Sequence, residues 1–161
     1  MALSHAGQEI GHRRAFGRPL VEQPLMRNVL ADLVLESEAA TTLMMRLAGA
    51  VDRGVRGDAA EGAFRRLALA AAKYWVCKRA PMHAAEAMEC LGGNGYVEES
   101  GMPRLFRESP LNGIWEGSGN VAALDVLRAL SREPDAVDAY FAEVGEARGA
   151  DPRLDDAAER L

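Results

Sequence analysis

Between Leu91 and Val121 the sequence LGGNGYVEESGMPRLFRESPLNGIWEGSGNV sets one carboxylate, Glu116, among Ile114, Trp115, Gly117, Ser118 and Gly119, none of them charged. An acid in such a pocket-like setting can serve as a general base, because partial desolvation raises its pKa toward working pH. Gly92, Gly93 and Gly95 stand upstream, where backbone without side chains can approach a ligand closely. A second reading stays open beside the first. Glu116 lies just before a helix capped by Ser118, where the helix dipole favours an acid for structural reasons alone. Metal chemistry is not expected: His5, His12, His83, Cys77 and Cys90 show no ligand spacing.

The elements that would position this loop are helical. Met26, Leu30, Leu33, Ser37, Ala40, Met44, Leu47 and Val51 recur every three or four positions, the stripe of a long amphipathic helix that seeks a partner along its length. Gly54 and Gly57 punctuate its end. A second long helix is expected from about Asp58 to Leu91, kinked or missing one hydrogen bond at Pro81 and stopped by Gly92 and Gly93. Residues Asn94 to Gly117 read as too polar and irregular for a long helix. Further helices follow from Ser118 to about Ser131 and from Pro134 to about Arg148. The first sixteen residues read as the tail of a helix, and strand signals are nearly absent. Together these predict an all-α fold, an up-down helical bundle, in one domain over residues 1–150 with an acidic tail, 151–161, as a frayed helix.

The chain has 161 residues, 48% hydrophobic and 27% charged, an ordinary composition for a soluble domain, and the expected location is cytoplasmic. No apolar run approaches a membrane span. Cys77 and Cys90 lie on one helix, too far apart to bridge, and are expected as reduced, buried thiols. The net charge of −5 sits in residues 131–161, where four Arg meet nine acids; residues 1–130 balance. That distribution argues against a broad phosphate-binding surface, so DNA is not an expected partner. Arg104 and Arg107 are expected to pair with Glu98, Glu99 or Glu108.

The Trp115–Ser118 stretch, WEGS, resembles the Y/W-E-G-T/S motif of the acyl-CoA dehydrogenases, flavoproteins in which that glutamate is catalytic. A GG-x-G-[YF] element stands before it at a similar spacing, here Gly92 to Tyr96. RRAFG (Arg13–Gly17), LADLVLESEAA (Leu30–Ala40) and KYWVCKR (Lys73–Arg79) agree in order, so the resemblance covers about Gly11 to Leu130. EQPLMR, PRLFRESP and IWEGSGN resemble the branch of the family that contains the alkylation-response protein AidB.

The resemblance implies a C-terminal-type helical bundle, the four-helix centre of a dimer or tetramer, with FAD as cofactor. Glu116 then removes the α-proton of an acyl-CoA thioester, with electrons passing on to electron-transfer flavoprotein. Arg13 and Phe16 match positions that reach a neighbouring subunit's FAD; read alone, they are a solvated arginine and a core phenylalanine. Gly92 and Gly93 match the loop against the adenosine diphosphate portion of FAD, and also suit a helix stop. Ser118 and Asn120 fall beside the flavin. Trp115 and Gly117 line the substrate pocket, with core packing as the other role for Trp115. Glu89 stands where relatives carry a glutamine that contacts the cofactor, and an acid there is less welcoming to pyrophosphate. Pro24 likewise replaces a frequent glutamine.

Family members also carry an N-terminal helical domain and a middle β-domain, which are expected to be absent here. The chain is therefore expected to supply the base and the oligomer interface without holding FAD tightly or turning over alone. Two other functions stay open: an AidB-like DNA-associated flavoprotein, for which the family's longer basic C-terminal extension is missing, and a purely structural oligomerisation module.

Overall fold

The computed structural model describes residues 10–160, and the expected helix tail over residues 1–9 falls outside them. The fold is all-α as expected, with one small exception. Helix α1 runs Pro24–Val55 and α2 runs Ala59–Cys90. Pro24 takes the first position of α1, where a missing N–H costs nothing. The chain turns at Gly57, whose φ of 99° is left-handed. Asp58 then caps α2 by accepting the N–H of Glu61 at 3.1 Å. Pro81 lies inside α2 without ending it. The helix stops at Gly92, φ 62°, as the glycine pair predicted. The expected α1 stripe is buried or half-buried except at Met44, which is 57% exposed.

After α2 come α3 (Gly93–Tyr96) and α4 (Met102–Glu108), with single 3₁₀ turns at Glu98–Ser100 and Ser109–Gly113. Both are short, in keeping with the irregular segment expected there. Helices α5 (Gly119–Arg132), α6 (Pro134–Gly145) and α7 (Pro152–Ala158) complete the chain. Asp151 caps α7 through the Arg153 N–H at 2.8 Å, so the acidic tail contains a capped turn of helix.

The exception corrects the reading of the first sixteen residues. Helix ends at residue 12, and β1 (Arg14–Ala15) pairs antiparallel with β2 (Arg18–Pro19). A two-residue loop, Phe16–Gly17, joins them with φ of 53° and 82°. Positive φ at both central residues is the turn whose twist suits a hairpin, and such a short ladder leaves no alternating pattern to read.

Contacts divide the described residues into two compact units: 10–43 with 74–119, and 44–73 with 120–160. In the first, Ile10, Leu33, Ala87, Cys90, Leu91 and Met102 form the core, with Met26, Val29, Leu30 and Leu105 packed on it. Glu36 of α1 pairs with Arg79 of α2, whose Nε donates at 2.7 Å, so these stretches lie side by side. Burial pushes the Cys90 thiol up, and Cys77 is half-buried; both are free thiols, as expected.

The second unit packs Leu67, Ala129 and Ala136 with Val126 and Tyr140. Around them charges interlock. Arg46 donates to Glu143 at 2.6 Å and to Glu61 at 2.7 Å, with its guanidinium 4.2 Å from the Phe64 ring centroid. Arg66 forks onto Asp125 at 2.9 and 3.0 Å and reaches Glu133. Helix α5 turns small residues inward, Ala122 and Ala129, and leaves Val121, Leu124, Leu127 and Leu130 exposed.

Candidate active site

Glu116 sits on the loop between the last 3₁₀ turn and α5. Its φ is 52° and that of Gly117 is 100°, so consecutive residues adopt left-handed backbone. For a non-glycine residue this costs about 1–2 kcal/mol, because Cβ crowds the following carbonyl. Glu116 is exposed. Ile114 and Trp115 are 65% and 55% exposed. The pocket-like setting expected from the sequence is therefore not built by the described residues of this chain: two left-handed residues in a row swing the segment outward.

The loop is fastened on both sides. Upstream, the N–H groups of Ile114 and Trp115 both donate to the Leu111 carbonyl, at 2.9 and 3.1 Å. The Trp115 indole Nε1–H donates to Asn112 Oδ1 at 3.2 Å. Downstream, Gly119 lies under α2. A Cβ at that position would stand 2.7 Å from Lys78 Cε and 3.2 Å from Tyr74 Cε2. Gly117 and Ser118 are half-buried between these fixed ends, and Asn120 is exposed in the first turn of α5.

The other expected site residues gather at the end of α2. Arg13 Nη1 donates to the Leu91 carbonyl at 3.0 Å. Its guanidinium lies over Gly92, where an added Cβ would come within 2.5 Å of Nη1. Arg13 thus answers a carbonyl at the negative end of a helix, and the left-handed φ of Gly92 is what calls for glycine there. Gly93 is different: a Cβ there would meet nothing within 4 Å. Gly95 is buried against the Met88 carbonyl, 2.2 Å from where its Cβ would be, a packing requirement that the sequence did not distinguish from a binding role. Glu89 is exposed on the last turn of α2. Phe16 is 96% exposed, which overturns the reading of it as a core residue. Phe16 stands at the first central position of the two-residue hairpin turn.

Arg104 donates to Glu108 at 2.8 Å and Arg107 to Glu98 at 2.7 Å, as expected, and the Arg107 bond holds the Glu98 carboxyl below the usual range. On the α1–α2 face of the first unit a groove of about 740 Å³ is lined by Val29, Glu36, Lys78, Arg79, Met82 and His83 among others. Burial lowers the His83 pKa, with Glu36 opposing. Among the described residues no cluster of His, Cys, Asp or Glu could hold a metal ion, and no helix is long and apolar enough to cross a membrane.

The W-E-G-S and G-G-N-G-Y motifs that carried the resemblance thus lie on an exposed loop before α5 and at the end of α2. The family profile described as acyl-CoA dehydrogenase, C-terminal domain, matches residues 1–131. The chain belongs to the acyl-CoA dehydrogenase family. It is 49% identical, over its whole length, to the acyl-CoA dehydrogenase homologue AidB of Escherichia coli (strain K12), of which it spans 29%. It is 33% identical to acyl-CoA dehydrogenase family member 11 of Caenorhabditis elegans over 85% of the chain and 22% of that protein. Among solved structures, Caenorhabditis elegans ACDH-11 in complex with C11-CoA superposes with a TM-score of 0.84 at 28% identity, covering 98% of this chain and 28% of that one. Butyryl-CoA dehydrogenase from Megasphaera elsdenii gives 0.69 at 30% identity, over 81% of this chain and 32% of that one. This is a C-terminal-type domain of the acyl-CoA dehydrogenase family, with an AidB-like relative, and it spans under a third of the relatives it matches.

Proposed function

We propose that this domain supplies the catalytic base and part of the cofactor surface of an FAD-dependent acyl-CoA dehydrogenase. The observation that carries the reading is the backbone of Glu116: an acid held at φ 52° and turned outward, in a family whose members use this motif for proton abstraction. Residues held in sparsely populated backbone conformations cluster at active sites and ligand clamps.

The residues present fit the group that the family implies. Gly93 offers open backbone, and Phe16 offers a ring free on nearly all sides. Arg13 uses Nη1 on Leu91, and a guanidinium has further N–H groups that can fork onto an anion such as pyrophosphate. Bound FAD would supply a hydride acceptor. Glu116 takes the α-proton of the acyl thioester onto a carboxylate oxygen. Its own backbone N–H polarises the thioester carbonyl, making the α-carbon more acidic. Trp115 shapes the acyl end of the site, with Gly117, Ser118 and Asn120 beside the ring system. Glu89 stays at the edge of the cofactor surface, where its charge weakens rather than helps binding of a phosphate.

Self-association as dimer or tetramer fits the apolar outer face of α5, where four large side chains are exposed in one helix. Electron-transfer flavoprotein is the acceptor that the reaction calls for, and the cytoplasm is its proposed setting. Alone, the chain neither holds FAD tightly nor turns over. An absorption spectrum of the purified chain tests this: the expected result is no visible flavin band, and stoichiometric flavin contradicts it. The DNA-associated reading draws on the 49% identity to AidB. It requires duplex binding that weakens steeply with salt, and the charge balance over residues 1–130 predicts none.

A further inference from the structure

We infer that Asn112, Tyr74 and Lys78 are positioning residues that hold Glu116 in its left-handed conformation. A strained backbone angle persists only where the surroundings leave the chain no alternative. At φ 52°, Glu116 pays that strain while exposed, so its own side-chain packing does not enforce it. The enforcement lies on either side. Upstream, Trp115 is tied through its backbone N–H to Leu111 and through its indole N–H to Asn112 at 3.2 Å. Downstream, Gly119 opens α5 buried against Tyr74 and Lys78, where an added Cβ would stand 3.2 Å from Tyr74 Cε2 and 2.7 Å from Lys78 Cε. Gly113, where the loop leaves the 3₁₀ turn, also approaches α2, its Cβ position 3.8 Å from the Cys77 carbonyl. Glu116, Gly117 and Ser118 span the stretch between these anchors, and the left-handed angles fall at Glu116 and Gly117 within it. Tyr74 and Lys78 stand one helical turn apart on one face of α2, which makes them a single surface against Gly119.

The inference rests on the proposed role of Glu116 for its purpose, not for its test. The test is a double-mutant cycle on the chain alone, read by urea unfolding. Glu116→Gly removes the left-handed penalty and is expected to raise the folded-to-unfolded ratio about fivefold. With the loop released by Asn112→Ala, or by Tyr74→Ala with Lys78→Ala, the backbone relaxes, and the same change is expected to gain less than about twofold. Asn112→Asp keeps an acceptor for the indole N–H and is expected to restore the full gain. Asn112, Tyr74 and Lys78 are all exposed, so these backgrounds fold. A residue that merely adds stability would leave the effect of Glu116→Gly unchanged. The full fivefold gain persisting in both released backgrounds overturns the inference. No cofactor takes part, so that failure leaves the role of Glu116 as a base to be judged by turnover.

Discussion

Around Arg46 each charge has an answer: Glu143 and Glu61 accept its hydrogen bonds, Arg53 shares Glu61 at 2.9 Å, and Phe64 lies under the guanidinium. Around Phe16 and Glu116 little is answered within the chain. Both residues adopt left-handed backbone, both are followed by glycine, and both are exposed. The first region stabilises the domain; the second gives up backbone stability while its side chains stay exposed. On the proposed function, that contrast separates residues chosen for the fold from residues chosen for a ligand.

Breaking the packed region is expected to give the largest effects. Gly95→Ala forces a methyl group against the Met88 carbonyl, which cannot move without moving α2, and should lower stability by about 3 kcal/mol in denaturant unfolding. Arg46→Met takes away the partner that Glu61 and Glu143 share and the guanidinium over Phe64, and should lower stability by less than Gly95→Ala does. The same variant should flatten the acid limb of the stability profile. The Arg46 bond, with Arg53 second, holds the Glu61 carboxyl below its ordinary value. Its contribution is therefore complete above the unfolded carboxylate pKa and is lost as pH falls through the folded value, below about pH 4. Unfolding followed across that range checks the sign.

The presenting region should respond the other way. Phe16→Asn puts the preferred residue into the hairpin turn and is expected to raise stability by about 1 kcal/mol, read as a higher melting temperature. A loss of stability would mean that the ring packs within the chain after all. Gly93→Ala should change the stability of the chain by less than about 0.5 kcal/mol, because a Cβ there meets nothing. If Gly93 approaches a cofactor, the same change should still weaken FAD binding in the longer protein.

The sequence was most legible where one periodicity governs many residues. The α1 stripe, the glycine stops at Gly57 and Gly92 and the helix at Gly119 all follow from local rules. The hairpin at Arg14–Pro19 was not legible, because a two-residue ladder carries no alternation and Phe-Gly is not a turn signal. The site residues were legible by motif, but not their surroundings. An uncharged neighbourhood along the chain suggested enclosure for Glu116, whereas backbone angles decide where the segment points. The different duties of Gly92, Gly93 and Gly95 were equally hidden: Arg13, open space and the Met88 carbonyl meet them only in the folded chain. Tyr74 and Lys78 stood in the KYWVCKR stretch that carried the resemblance, but their nearness to Gly119, more than forty residues away in sequence, left no signal.

The central claim is that Glu116 takes the α-proton. It is tested most directly by the reductive half-reaction of the longer protein that carries this domain, loaded with FAD and mixed anaerobically with an acyl-CoA. The account predicts that the visible flavin band bleaches in the unsubstituted protein and persists in Glu116→Gln with bound flavin unchanged. Bleaching at the same rate and extent in both would contradict it.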